Sequence, residues 1–133
     1  DESSLEIDLC AQLQMSVNEF AEQSGLRVAW SVESPPRCSR QIAEQVLKVT
    51  REALKNVARH AQAERVAVQV GESDGHYFVA IEDDGKGFDA SQPEPNGHFG
   101  LKIMQARAAH IGGRVEVESK PGRGTRVMLT WPG

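Results

Sequence analysis

The chain is short of several features that would each announce a particular kind of protein. It has only two cysteines, Cys10 and Cys38, with no CxxC spacing and no histidine cluster beside them. Neither a zinc site nor a disulfide framework is expected, and both read as reduced thiols of a cytosolic protein. No apolar run approaches the ~18–20 residues that a membrane helix needs, and no signal peptide is present. The formal net charge is -4 and no basic stripe rises above background, which argues against direct contact with nucleic acid. A Walker loop, GxxxxGK[ST], occurs nowhere, and no GxGxxG follows a first strand. Internal repeats, low-complexity segments and domain linkers are missing too. An initiator methionine is also lacking, so the chain is expected to be a piece of something longer.

What is there is an ordinary globular composition over 133 residues, 39% apolar and 26% charged, enough for one domain with a two-layer core. Leu9, Leu13, Val17 and Phe20 recur at helical spacing, and Gly25 stands where a left-handed cap would end that helix. Leu26, Val28, Trp30 and Val32 alternate as a strand that Pro35 and Pro36 terminate. Ser39 is placed to cap the longest helix, about Arg40 to Ala61. Strands follow over 65–71 and 76–82, with Asp74-Gly75 as the hairpin turn between alternating runs. The 16 residues from Gly85 to Gly100 have no periodicity and hold two prolines and four glycines, which suits a functional lid or disorder. Leu101, Met104, Ala108 and Ile111 mark a third helix, and strands over 114–119 and 125–131 close the chain. Strands that come mostly in hairpins predict an α+β fold: a two-layer sandwich with a mixed, largely antiparallel sheet and three helices on one face.

Four stretches carry chemistry. Ile81-Glu82-Asp83-Asp84-Gly85-Lys86-Gly87-Phe88 ends a strand at two carboxylates and then places glycine at every second residue. Such spacing suits backbone that bends close to a ligand, with Asp83 accepting from an exocyclic amine, although these eight residues taken alone favour a plain loop with turn glycines. On the long helix, Glu52, Asn56 and Arg59 share a narrow arc at one edge of the apolar stripe, and His60 lies almost within the stripe at the helix end. The Asn56 amide oxygen can ligate Mg²⁺, and the Arg59 guanidinium can pair with phosphate. A solvated helix face with i,i+4 pairs is the alternative. Gly97-His98-Phe99-Gly100-Leu101 leads into the third helix, where backbone amides favour an anion. Gly122-Arg123-Gly124-Thr125 reads either as a hairpin turn or as the floor of an adenine pocket.

In this order the four stretches resemble the ATP-binding catalytic domain of sensor histidine kinases, whose fold is shared by the GHKL ATPases (the Bergerat fold). Glu52-x-x-x-Asn56-x-x-Arg59-His60 is similar to the N box, Asp83-x-Gly85-x-Gly87 to the G1 box, Gly97-His98-Phe99-Gly100-Leu101 to the G2 box, and Gly122-x-Gly124-Thr125 to the closing GxGT. The resemblance covers nearly everything from Leu9 onward. The run Ile103-Met104-Gln105-Ala106-Arg107-Ala108 adds a likeness to kinases paired with NarL-type response regulators, nitrate/nitrite sensor kinases above all.

The resemblance implies roles for these residues. Asp83 would take the adenine amine, Gly85 and Gly87 would keep the base pocket open, and Gly124 and Thr125 would close it. Asn56 would hold Mg²⁺, while Arg59 and His60 would face the phosphates. Glu52 would orient the attacking group or accept its proton. Gly97, His98, Gly100 and Leu101 would form the end of a lid, about 84–100, and the start of its helix. ATP and Mg²⁺ are the implied cofactors. The implied partners are a dimerisation domain carrying the phosphoacceptor histidine and a downstream response regulator. The parent would be a dimeric inner-membrane sensor with this domain in the cytoplasm, and the piece alone a monomer unable to autophosphorylate. Anti-sigma-type serine kinases and the GHKL ATPases of DNA repair and chaperone type remain the alternatives.

Overall fold

The computed structural model describes residues 6–89, 91 and 100–133. Expectations placed on Gly97 and His98 therefore lie outside the described residues.

Strand β1 (Glu6–Asp8) leads into helix α1 (Leu9–Ser24), where the Asp8 carboxylate accepts from the Ala11 amide at 3.0 Å. Gly25, at φ 73°, ends α1 in the left-handed conformation that glycine adopts without a Cβ penalty. Strand β2 (Arg27–Val32) and the short β3 (Arg37–Ser39) precede α2 (Arg40–Asn56). The Ser39 hydroxyl accepts from the Ile42 amide at 3.3 Å, the N-cap its position foretold. Strands β4 (Arg65–Ser73) and β5 (His76–Asp83) form a hairpin with positive φ at both Asp74 and Gly75, which an Asp-Gly turn of the primed type requires. Helix α3 (Leu101–Ala109) and strands β6 (Arg114–Ser119) and β7 (Thr125–Pro132) complete the chain.

The five-stranded sheet runs β2-β4-β5-β7-β6. Only β2 and β4 pair in parallel, because α2 crosses between them; the other pairs are antiparallel. Alternation sends Val66, Val68 and Val70 of β4, Val79 and Ile81 of β5, and Val127, Leu129 and Trp131 of β7 to one buried face. Leu9, Leu13 and Val17 of α1, Val46, Val49 and Ala53 of α2, and Met104 and Ala108 of α3 cover that face. The expected α+β sandwich is what forms.

Two features depart from the expected elements. β1 and β3 make a separate antiparallel pair, Ile7 opposite Cys38, too short for alternation to signal in the sequence. The long helix is not α-helical throughout: it stops at Asn56 and continues as a π turn, Val57–Ala61, before Gln62 turns left-handed at φ 53°. Its terminal carbonyls need partners outside the helix, and Ala61 O accepts from the Lys86 amide at 2.7 Å.

Candidate functional site

The site is built where β5 runs out of sheet. Asp83, the last residue of β5, is 7% exposed and stands in register between Val66 of β4 and Thr125 of β7. Its Oδ1 accepts from the Gly85 amide at 2.8 Å. Burial pushes the carboxyl above its ordinary pKa; the Gly85 and Thr125 amides oppose that, and the Asp84 and Glu82 carboxylates reinforce it. Asp84 behaves in the opposite way. It faces solvent, and its Oδ1 accepts from the amides of Arg65 (3.0 Å) and Glu64 (2.9 Å), which hold its carboxyl below the ordinary value. The outer carboxylate thus fastens β5 to the start of β4, and among the described residues the donors to the inner one are backbone amides.

The chain after Asp83 is threaded tightly. A Cβ on Gly85 would strike the Ala61 carbonyl, and one on Gly124 would strike the Asp83 carbonyl. Gly87, at φ 62°, lies against the carbonyls of Lys120 and Gly124. The Lys86 carbonyl accepts from Gly122 N at 2.6 Å and the Phe88 amide donates to the Ser119 hydroxyl at 2.9 Å. The lid was expected to begin near Asp84, yet residues 84–88 are tied to the π turn and to the β6–β7 turn.

On α2, Glu52 is partly buried and pairs with Lys55 at 3.4 Å. Its carboxylate also lies where a Cβ on Gly100 would be, so it packs against the start of α3. Gly100 is buried at φ 62°, supplies no side-chain cap, and is followed by half-buried Leu101. Asn56 is half-buried one turn beyond Glu52. In a uniform α-helix, at ~100° of rotation per residue, Arg59 would share that arc. A π turn rotates less per residue, which swings His60 towards the Glu52–Asn56 line and Arg59 away from it. Arg59 is exposed and, with Arg51 and Lys55, lines a groove between α1 and α2.

Ser119 was missed in the sequence. It follows Val115 and Val117 on the inward-facing side of β6 and pairs with Thr125. The Thr125 hydroxyl is 2.8 Å from Ser119 Oγ. The inward alternation of β6 was the signal that could have found it.

These residues suit a nucleotide with a divalent cation. Gly85, Gly87 and Gly124 let the backbone pass directly against neighbouring carbonyls, and Gly100 against the Glu52 carboxylate, where no side chain fits; Asp83 supplies an interior acceptor, and Glu52 and Asn56 supply hard oxygen donors one helical turn apart.

Comparison with known proteins agrees. The family model described as histidine kinase-, DNA gyrase B- and HSP90-like ATPase matches residues 41–133. The chain is 31% identical over 116 residues to the sensor histidine kinase LiaS of Bacillus subtilis, covering 87% of this chain and 32% of that protein. It is 33% identical over 121 residues to the nitrate/nitrite sensor protein NarX of Escherichia coli, covering 90% of this chain and 20% of that one. The chain thus spans a third or less of the length of these curated relatives. Among solved structures, the mycobacterial sensor histidine kinase MprB superposes with a TM-score of 0.80 at 19% identity, covering 98% of this chain and 97% of that one. The Erythrobacter litoralis EL346 blue-light activated histidine kinase gives 0.75 at 26% identity, covering 95% and 42% respectively. Fold, threaded glycines and the family match over most of its length agree: this chain belongs to the histidine kinase-, DNA gyrase B- and HSP90-like ATPase family.

Proposed function

We propose that this chain binds Mg-ATP between the Asp83 end of β5 and the Glu52–Asn56 edge of α2, and that within its longer parent it presents the γ-phosphate to a histidine on a separate dimerisation domain. The observation that carries the reading is Asp83. A carboxylate kept in the interior, with two backbone amides and no cationic partner among the described residues, is costly to the fold unless a ligand uses it. An exocyclic amine is the donor that such an acceptor suits, which favours adenine over guanine.

Asn56 would hold the magnesium ion through its amide oxygen, and the ion, when bound, supplies charge neutralisation to the phosphates. Glu52, on α2 against the start of α3, would orient the attacking group. His60, turned towards Asn56 by the π turn, would face the phosphates, and Arg59 would have to reach them from the α1 side. Gly97 and His98 would complete the anion site ahead of Gly100 and Leu101. Phosphoryl transfer needs positioning and electrostatics more than covalent work by the protein. The parent is read as a dimeric, membrane-anchored sensor acting on a NarL-type response regulator; the likeness to a nitrate/nitrite sensor protein supports the sensor part of that reading.

The test is calorimetric titration with Mg-ATP, followed by incubation with γ-labelled ATP. Saturable binding without a stable phosphohistidine is expected from this chain alone. A phosphohistidine formed on it unaided, or no binding at all, would contradict the proposal.

A further inference from the structure

Ser119 Oγ has three partners. The Phe88 amide donates to it at 2.9 Å, it donates to the Gly124 carbonyl at 3.0 Å, and Thr125 Oγ1 lies 2.8 Å away. A serine hydroxyl has one proton and two lone pairs. The Gly124 carbonyl can only accept, so the Ser119 proton goes there. The Phe88 amide can only donate, so it takes one lone pair. The second lone pair is what remains for Thr125, whose hydroxyl must therefore be the donor. Its own proton spent on Ser119, Thr125 Oγ1 offers only lone pairs to anything else.

Register turns this local bookkeeping into a property of the site. Asp83, Thr125 and Ser119 stand in one row across β5, β7 and β6, with adjacent members directly paired. All three project to the helix-covered face. Asp83, ionised, is likewise acceptor-only, and it already satisfies the Gly85 amide.

We infer that Ser119 is a positioning residue for base selection: by taking the Thr125 hydroxyl proton it fixes the Asp83–Thr125 edge as acceptor-only, so that the site favours a purine whose 6-substituent is an amine over one whose 6-substituent is a carbonyl. This rests on the nucleotide reading of the site and deepens it. Nothing in Ser119 touches the base. It acts through the Thr125 rotor, and it anchors the Phe88 amide with the same oxygen. Removing the hydroxyl frees the Thr125 proton to point at the ligand, so Thr125 becomes able to donate to a 6-oxo group.

The test titrates this chain, wild type and Ser119→Ala, with three Mg-nucleotides: ATP, inosine triphosphate, and purine riboside triphosphate, which has neither amine nor carbonyl at position 6. In Ser119→Ala the ATP-over-inosine preference is expected to fall about tenfold, the size of one hydrogen bond gained or lost, through weaker ATP and tighter inosine binding. Purine riboside triphosphate should stay within about twofold. Ser119→Thr, which keeps a hydroxyl, should restore the wild-type ratio. In a Thr125→Val background, Ser119→Ala should change the ratio no further; this pair also decides the matter should Ser119→Ala alone fold poorly. An equal loss for all three nucleotides, or an unchanged ratio, overturns the role of Ser119 while leaving nucleotide binding intact. Wild-type protein that binds none of the three overturns the nucleotide reading itself.

Discussion

Asp83→Asn exchanges a buried carboxylate for an amide of the same shape, and its consequences for binding and for folding run in opposite directions. The new Oδ1 can keep the Gly85 amide, which the carboxylate accepts at 2.8 Å. The other terminal atom then changes from an acceptor to an NH₂, which faces an adenine amine donor to donor. Hydrogen bonds to charged groups are worth roughly 1.5–3 kcal/mol, so ATP affinity should fall roughly 10- to 150-fold. For the fold the sign reverses. Burial raises the Asp83 pKa above its unfolded value, so between those two values the native state holds the proton more firmly than the unfolded chain does. Stability is therefore lost as pH rises through that window, and the ionised carboxylate is a burden on the fold above it. Asparagine removes the burden. At neutral pH the variant should melt no lower than wild type while binding ATP far more weakly, and the loss of stability with rising pH just above the ordinary carboxylate range should flatten. Calorimetric titration and melting curves from pH 4 to pH 8 give both readouts. Unchanged ATP affinity would remove Asp83 from the site. A marked drop in melting temperature at pH 7 would refute the claim that the carboxylate is kept for a ligand and not for the fold.

Three further substitutions probe the rest of the site. Asn56→Ala should abolish the part of nucleotide affinity that depends on Mg²⁺ and leave the circular dichroism spectrum unchanged; equal losses with Mg²⁺ and with chelator would exclude a metal-ligand role. Gly124→Ala forces a Cβ onto the Asp83 carbonyl at a φ of 74°, so about 2–4 kcal/mol of stability should be lost, read from urea denaturation. Asp84 has its pKa lowered by the Arg65 and Glu64 amides, so the stability it contributes is present above its unfolded value and lost as pH falls through its folded one. Asp84→Asn should therefore shrink the acid-induced loss of stability, and an acid limb identical to that of wild type would count against the paired amides.

Much of this was legible in the chain because local chemistry dictates it. Asp74-Gly75 can hardly be anything but a tight hairpin turn, Ser39 has an amide to cap three residues on, and Gly25 takes the left-handed conformation that ends α1. The alternating valines of β4 needed only a period of two to declare their buried face. The π turn at Val57–Ala61 was not legible, since a shift in hydrogen-bond partner from one carbonyl to the next leaves no mark on hydrophobic spacing. With it went the expected grouping of Arg59 with Asn56, which assumed a uniform helical rotation.

By itself, the sequence determined which residues are polar at the ends of apolar segments and where the backbone must be glycine, and those two facts sufficed for the fold class and singled out the stretches proposed to form the site. Only the tertiary structure decided how they meet: Gly100 against the Glu52 carboxylate, Gly85 beneath the Ala61 carbonyl, and Asp83, Thr125 and Ser119 in a single row. The reason is register. Cross-strand neighbours are set by how whole strands slide and pair, a choice made by the entire buried face at once, and no single residue's neighbours in the chain record the outcome.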